Sequence, residues 1–167
     1  SREERRSLAS IRAGEYEGLA RKLEDPHWAP DAGPRSFNAR SGATVVGARE
    51  FLLAYNVNVN TMDRRLANEI ALSIREGGRA MRDAQGSIVR DAAGESVKVP
   101  GRLKAVRAIG WYIDQYRQAQ VSINLTNIST TPVHVAFDEA CRKAEARGVR
   151  VTGSELVGMI PLGAMLD

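Results

Sequence analysis

Cysteine occurs once in this sequence, at Cys141, so no disulfide can form within the chain, which suits a reducing cytoplasm. No apolar run approaches the roughly 20 residues of a membrane-crossing helix, and no signal peptide is visible, so no membrane partner is expected. Histidine occurs twice, at His27 and His134, and no set of His, Cys, Asp or Glu has metal-ligand spacing; no metal is expected. There is no Walker loop, and "GATVVG" lacks the dinucleotide-binding pattern. The net charge of +4 is interleaved with acids instead of lying on one stripe, so nucleic acid is not an expected partner. An initiator methionine is also missing, and "PLGAMLD" reads as a helix cut short. A piece of a longer polypeptide is expected.

What is present reads as an ordered series of elements. Residues 1–25 are charged and helix-prone, a helical arm; Pro26, Pro30 and Pro34 then break it into a loop over 26–42. From about Val45 to Asn60 the pattern alternates, with Phe51, Leu53, Tyr55, Val57 and Val59 on one face and Asn56, Asn58 and Asn60 on the other. A helix follows, with Thr61 as its expected N-cap and Leu66, Ala67, Ile70, Ala71 and Ile74 as its apolar stripe, ended by Gly77-Gly78. Residues 79–102 are polar, with turn signals "DAQG" and "DAAG", and read as a protruding hairpin.

Two strands come next, joined at Arg117-Gln118. Ile109, Trp111 and Ile113 are expected on the apolar face of the first, and Val121, Ile123 and Leu125 on that of the second. "TTPVHVAFDEACRKAEARG" reads as a helix capped by Thr131 and ended by Gly148, with Val133, Phe137, Ala140, Cys141 and Ala144 buried. "VRVTG" is a short strand, and Pro161 opens a last helix. The order strand, helix, strand, strand, helix, strand is an α+β, ferredoxin-like split βαβ: a four-stranded antiparallel sheet with two helices on one face, plus the N-terminal helical arm and a C-terminal helix.

The open sheet face would carry Asn56, Asn58, Ser122, Asn124 and Thr126. Asparagine is a poor strand residue. Neutral amides and hydroxyls cost less to desolvate than charges, so this face suits a polar ligand or another protein surface; an ordinary solvated face is the alternative.

Seven segments in order, "IRAGEYEGL", "WAPDAGP", "GATVVGAREFLLAYNVN", "PGRLKAVRAIGWYI", "AQVSINLTNI", "TPVHVAFDEAC" and "VTGSELVGMIPLGAMLD", resemble the glutamate formiminotransferase (formimidoyltransferase) family. The resemblance covers nearly the whole chain and is weakest over 79–99. It implies transfer of a formimino group from N-formimino-L-glutamate to tetrahydrofolate in histidine degradation, with tetrahydrofolate as co-substrate, no metal, and a cytoplasmic homodimer. It divides the chain into 1–42, a helical arm with a folate-binding connecting loop from the N-terminal subdomain, and 43–167, the C-terminal subdomain. The family's catalytic histidine belongs to the N-terminal subdomain, which is missing here, so no catalytic residue is expected in this chain.

The family's folate-binding segment maps onto Gly33, Pro34, Arg35, Ser36, Phe37, Asn38, Ala39, Arg40, Ser41 and Gly42. Glycines would let backbone amides approach a flat ring closely. Phe37 would pack on the pterin or benzoyl ring, and Arg35 or Arg40 would meet glutamate carboxylates. A plain linker is compatible with the same residues. Both histidines are expected to be structural. The competing readings are a non-catalytic folate-binding or dimerisation module, and an RNA-binding sheet, which the placing of Trp111 among the apolar residues disfavours.

Overall fold

The computed structural model describes residues 5 and 7–166. Two compact units, Ser1–Ala48 and Arg49–Asp167, make up the chain.

The first unit holds two short helices in place of the one expected arm. In α1 (Leu8–Arg12) the Ser7 hydroxyl accepts from the Ser10 amide, and α2 (Leu19–Glu24) follows; neither buries a residue. The break has a backbone cause. Gly14 takes φ of 89°, and a Cβ on Gly18 would sit 2.7 Å from the Gly14 carbonyl oxygen, so both positions need glycine. Lys22 ties the turn together, donating to the carbonyls of Ser10, Ile11 and Ala13 at 2.8, 2.7 and 3.2 Å. Its ammonium also lies 4.0 Å from the centre of the Trp28 ring. A 3-10 turn over Pro26–Trp28 is capped by Asp25. The arm's positions 1–4 and 6 lie outside the described residues.

In the second unit the chain forms β1 (Leu53–Val59), α3 (Arg64–Ile74), β2 (Arg79–Ala80), β3 (Lys98–Val99), β4 (Val106–Ile113), β5 (Gln118–Leu125), α4 (Val133–Glu145), β6 (Val151–Val157) and α5 (Leu162–Leu166). Four strands stand in the order β4-β5-β1-β6, each neighbouring pair antiparallel. This is the expected ferredoxin-like arrangement. Alternation sends Leu53, Tyr55, Val57 and Val59 of β1, and Ala119, Val121, Ile123 and Leu125 of β5, into the core. They meet Ala67, Ile70, Ala71 and Ile74 of α3 and Ala136, Ala140 and Ala144 of α4. Each fully buried isoleucine or leucine contributes about 1.5–3 kcal/mol. The line of alanines makes the buried stripe of α4, with Val133 and Phe137 packed beside it and Cys141 only half-buried.

β4 corrects the sequence reading. Its core-facing residues are Val106, Ala108 and Gly110, while Ile109 and Trp111 point the other way, 55% and 43% exposed. The reason is steric. A Cβ on Gly110 would lie 2.0 Å from the Asn68 amide nitrogen of α3, so the helix tolerates no side chain there. The small residues go under the helix and the bulky ones go out; a shift of one residue reverses every side chain.

Other differences are local. β1 begins at Leu53 instead of near Val45, because its pairing ends at Leu53↔Leu125 and Ala54↔Val157. Asp63, not Thr61, caps α3: its carboxylate accepts from the Arg65 amide at 2.8 Å, while Thr61 Oγ1 accepts from the Asp63 amide at 3.1 Å. Thr131 does not cap α4. Its buried hydroxyl donates to the Lys104 carbonyl at 2.7 Å, and Pro132 holds the cap position.

The 79–102 segment is more than one hairpin. β2 and β3 pair at its base. Above them, "RDAQGSIV" (82–89) and "RDAAGESV" (90–97) repeat the same turn. Asp83 accepts from the amides of Gln85 and Ser87, and Asp91 from those of Ala93 and Glu95. The amides of Met81, Val89 and Val97 donate in a ring, to the carbonyls of Val97, Met81 and Val89. The expected polar loop is thus a self-bonded tip.

Candidate functional site

Strand register builds a polar wall on the sheet face opposite the helices. One row reads Trp111↔Gln120↔Asn58↔Gly153, and the next Ile109↔Ser122↔Asn56↔Glu155. The polar members are joined by hydrogen bonds. Trp111 Nε1 donates to Gln120 Oε1 at 2.6 Å. Gln120 Nε2 donates to Asn58 Oδ1 at 2.7 Å and to Glu155 Oε1 at 2.9 Å. Asn56 Nδ2 donates to the same Glu155 oxygen at 2.9 Å.

The direction of this chain is set at both ends. An indole nitrogen only donates and a carboxylate only accepts. Gln120 must therefore turn its oxygen to Trp111 and its nitrogen to Asn58 and Glu155. Asn56 must turn its nitrogen to Glu155. Gln120 is 1% exposed and Asn56 7% exposed, so this part of the face is not an ordinary solvated surface. An unsatisfied polar group at such depth costs about 1–3 kcal/mol, and the bonding removes that cost. The result is a pre-oriented set of amides, with the exposed Glu155 and Asn124 and the half-buried Asn58 and Ser122 around them.

Of these residues, Asn56, Asn58, Ser122 and Asn124 were expected here on the strength of alternation. Trp111 and Glu155 were not. The small residue at Gly110 was the signal for Trp111, since a glycine within a strand often marks a close backbone approach. Glu155 falls beyond the expected "VRVTG" strand; the alternation Gly153, Glu155, Val157 extends it.

The segment Gly33–Gly42 belongs to the first unit and is held by its own bonds. Asn38 Oδ1 accepts from the Arg40 and Ser41 amides at 2.9 and 3.2 Å, and the Gly42 amide donates to the Asn38 carbonyl at 2.8 Å. Tyr16 donates its hydroxyl to the Ala39 carbonyl, and its ring packs against Phe37 at 5.5 Å between centres. Arg35 donates to the Glu24 carbonyl at 3.2 Å, at the end of α2, where a cation is favoured. Gly33 has φ of 87°, and nothing lies within 4 Å of where its Cβ would stand, whereas Gly42 packs against Tyr16 and Leu19. Phe37 and Gly42 are half-buried; Pro34, Ser36 and Arg40 are exposed.

A second feature of the larger unit is an apolar cleft of about 390 Å³ on the helix side, whose lining includes Tyr55, His134, Phe137, Ser154, Leu156 and Ile160. Burial pushes the Tyr55 phenol above its ordinary value, against a smaller opposite effect of the Ser154 hydroxyl. Cys141 is also raised, by burial and then by Asp138 and Glu145, which leaves its thiol protonated and a weak nucleophile. His27 stands edge-on to Trp28 at 6.1 Å. Among the described residues no group of three or more His, Cys, Asp or Glu could hold a metal ion. None of the described helices is long and apolar enough to cross a membrane.

Residues 54–167 match the family described as "Formiminotransferase domain", and residues 1–49 match "Formiminotransferase domain, N-terminal subdomain". The chain is similar to formimidoyltransferase-cyclodeaminase of Gallus gallus, 48% identical over 99% of this chain and 27% of the relative, and of Sus scrofa, 48% identical over 98% and 27%. It is also similar to glutamate formimidoyltransferase of Streptococcus pyogenes serotype M1, 35% identical over 100% of this chain and 48% of the relative. It thus spans about a quarter of the first two proteins and about half of the third.

Proposed function

Because the chain belongs to the formiminotransferase family, we propose that it is the folate-binding part of a glutamate formimidoyltransferase, which moves a formimino group from N-formimino-L-glutamate to tetrahydrofolate in histidine degradation. The observation that carries this reading is the directed amide wall around Gln120 and Asn56, on a sheet of this family. Formimino transfer needs an amine held against an amidine carbon, a proton shuttle, and exclusion of the water that would hydrolyse the group. Holding two reactants in place contributes on the order of several kcal/mol. A directed, already bonded wall suits that task because its dipoles need no reorganisation when a polar ligand arrives. His27 and His134 keep structural roles, and this chain's share of the reaction is positioning. Tetrahydrofolate is the co-substrate, and no metal takes part.

The second binding element is the segment Gly33, Pro34, Arg35, Ser36, Phe37, Asn38, Ala39, Arg40, Ser41 and Gly42. Its support is the open space at Gly33, the exposed Arg40 and the half-buried Phe37. Residues 1–42 are the arm and connecting loop, and 43–167 the C-terminal subdomain. The protein works in the cytoplasm as a homodimer.

RNA binding gains from Trp111 lying on the open face. It loses more from Glu155, whose carboxylate stands in the polar row and would repel a phosphate backbone. The dimerisation reading has its own observation: Val157, Met159, Leu162, Met165 and Leu166 are exposed apolar residues near one another in sequence.

Titration with 5-formyltetrahydrofolate tests the proposal. Saturable binding is expected, and formimino transfer is expected once the amino-terminal half is supplied. Binding without restored transfer supports a non-catalytic module instead, and no binding refutes both.

A further inference from the structure

A third row of the open face runs Arg107↔Asn124↔Ala54↔Val157, so Arg107 lies on the edge strand β4 and Glu155, two residues before Val157, on the opposite edge strand β6. Both are exposed. Uncharged Asn124, Ser122, Ala54 and Asn56 lie between them. Three strand spacings and a two-residue offset put the two Cα positions roughly 16 Å apart. The wall is therefore negative at one end and positive at the other.

The two ends also differ in what they offer. Glu155 Oε1 already accepts from Asn56 and Gln120. Glu155 is nevertheless exposed, so its carboxylate stays within reach of a ligand. Arg107 offers a fork of donors suited to a carboxylate.

Resting on the folate reading above, we propose that this wall binds the folate co-substrate lengthwise, with the 2-amino and N3–H edge of the pteridine at Glu155 and the glutamate carboxylates at Arg107. A pteridine joined through an aminobenzoyl group to glutamate has the length to span these two points. N-formimino-glutamate has the same polarity, amidine at one end and carboxylates at the other, but its chain is too short to reach both. Ala54 and Ser122 keep the middle of the wall low, which leaves room for the flat aminobenzoyl ring.

The test compares binding of 5-formyltetrahydrofolate and of pteroic acid, which has no glutamate, to the intact chain and to Arg107→Ala and Glu155→Gln. Glutamine at 155 can still accept from Asn56 and Gln120, so the fold is kept; unchanged thermal midpoints check this for both variants. Arg107→Ala is expected to weaken 5-formyltetrahydrofolate about tenfold and pteroic acid less than about twofold, and Glu155→Gln to weaken both about tenfold. Equal effects of Arg107→Ala on the two compounds, or no effect of Glu155→Gln, would overturn the lengthwise placement while leaving the folate reading intact. Wild-type binding of 5-formyltetrahydrofolate without any of pteroic acid would overturn the Glu155 end. If the wild type binds neither compound, the folate reading fails and the placement with it.

Discussion

The two faces of one four-stranded sheet obey different rules. Beneath the helices, Val57, Val59, Ile123 and Leu125 are held by shape and exclusion of water, and Gly110 is small because a helix backbone occupies its space. On the opposite face, Gln120 and Asn56 are also buried but are held by hydrogen-bond direction: Gln120 is pinned between a donor-only indole and an acceptor-only carboxylate, and Asn56 donates to the same carboxylate. One face tolerates apolar exchanges that keep volume; the other requires that donors and acceptors stay matched. The first is what a fold needs, and the second is what a binding surface needs.

The largest effect should come from Gly110→Val. Its Cβ would meet backbone of α3, so urea denaturation should show a loss of about 3 kcal/mol or more. Next is Gln120→Leu, which keeps volume but strands the Trp111 N–H and removes a partner from Asn58 and Glu155. A loss of about 1–3 kcal/mol is expected. Trp111→Phe combined with it should cost less than the sum of the two changes, because one bond is lost in both; strict additivity would mean that the bond does not couple them.

A smaller effect is pH-dependent. Burial raises the Tyr55 phenol above 10.0, so its neutral form is favoured in the folded state. Its contribution is complete below the unfolded value and is lost as pH rises through the folded one. Stability should therefore fall more steeply above about pH 10 in the wild type than in Tyr55→Phe, as followed by circular dichroism. The smallest effect should be that of Gly153→Ala, a glycine of the polar face with nothing within 4 Å of a Cβ; its stability should stay within about 0.5 kcal/mol of wild type. If the two glycines respond alike, the contrast between the faces is wrong.

Much of the dry face was legible in the sequence, because its signal is periodic. The alternation Leu53, Tyr55, Val57, Val59 and the helical stripe Ala67, Ile70, Ala71, Ile74 each report one element's own buried side. β4 was ambiguous for the same reason: Val106 and Ala108 form one apolar alternation and Ile109, Trp111 and Ile113 another. Only the approach of α3 to Gly110 decides between them, and that is a tertiary fact. Asp63 displaced Thr61 as a cap within a two-residue choice, and Thr131 found a distant carbonyl at Lys104. The asparagines of the wet face were visible as unusual strand residues. Their bonding was not, since it depends on which residues of four strands share a row.

Whether the amide wall binds folate is decided by titrating 5-formyltetrahydrofolate into the wild type and into the Asn56→Ala, Asn58→Ala double variant. Saturable binding by the wild type is expected, with at least about tenfold weaker binding by the variant and the variant still folded. Equal affinity in two equally folded proteins would contradict the role given to the wall.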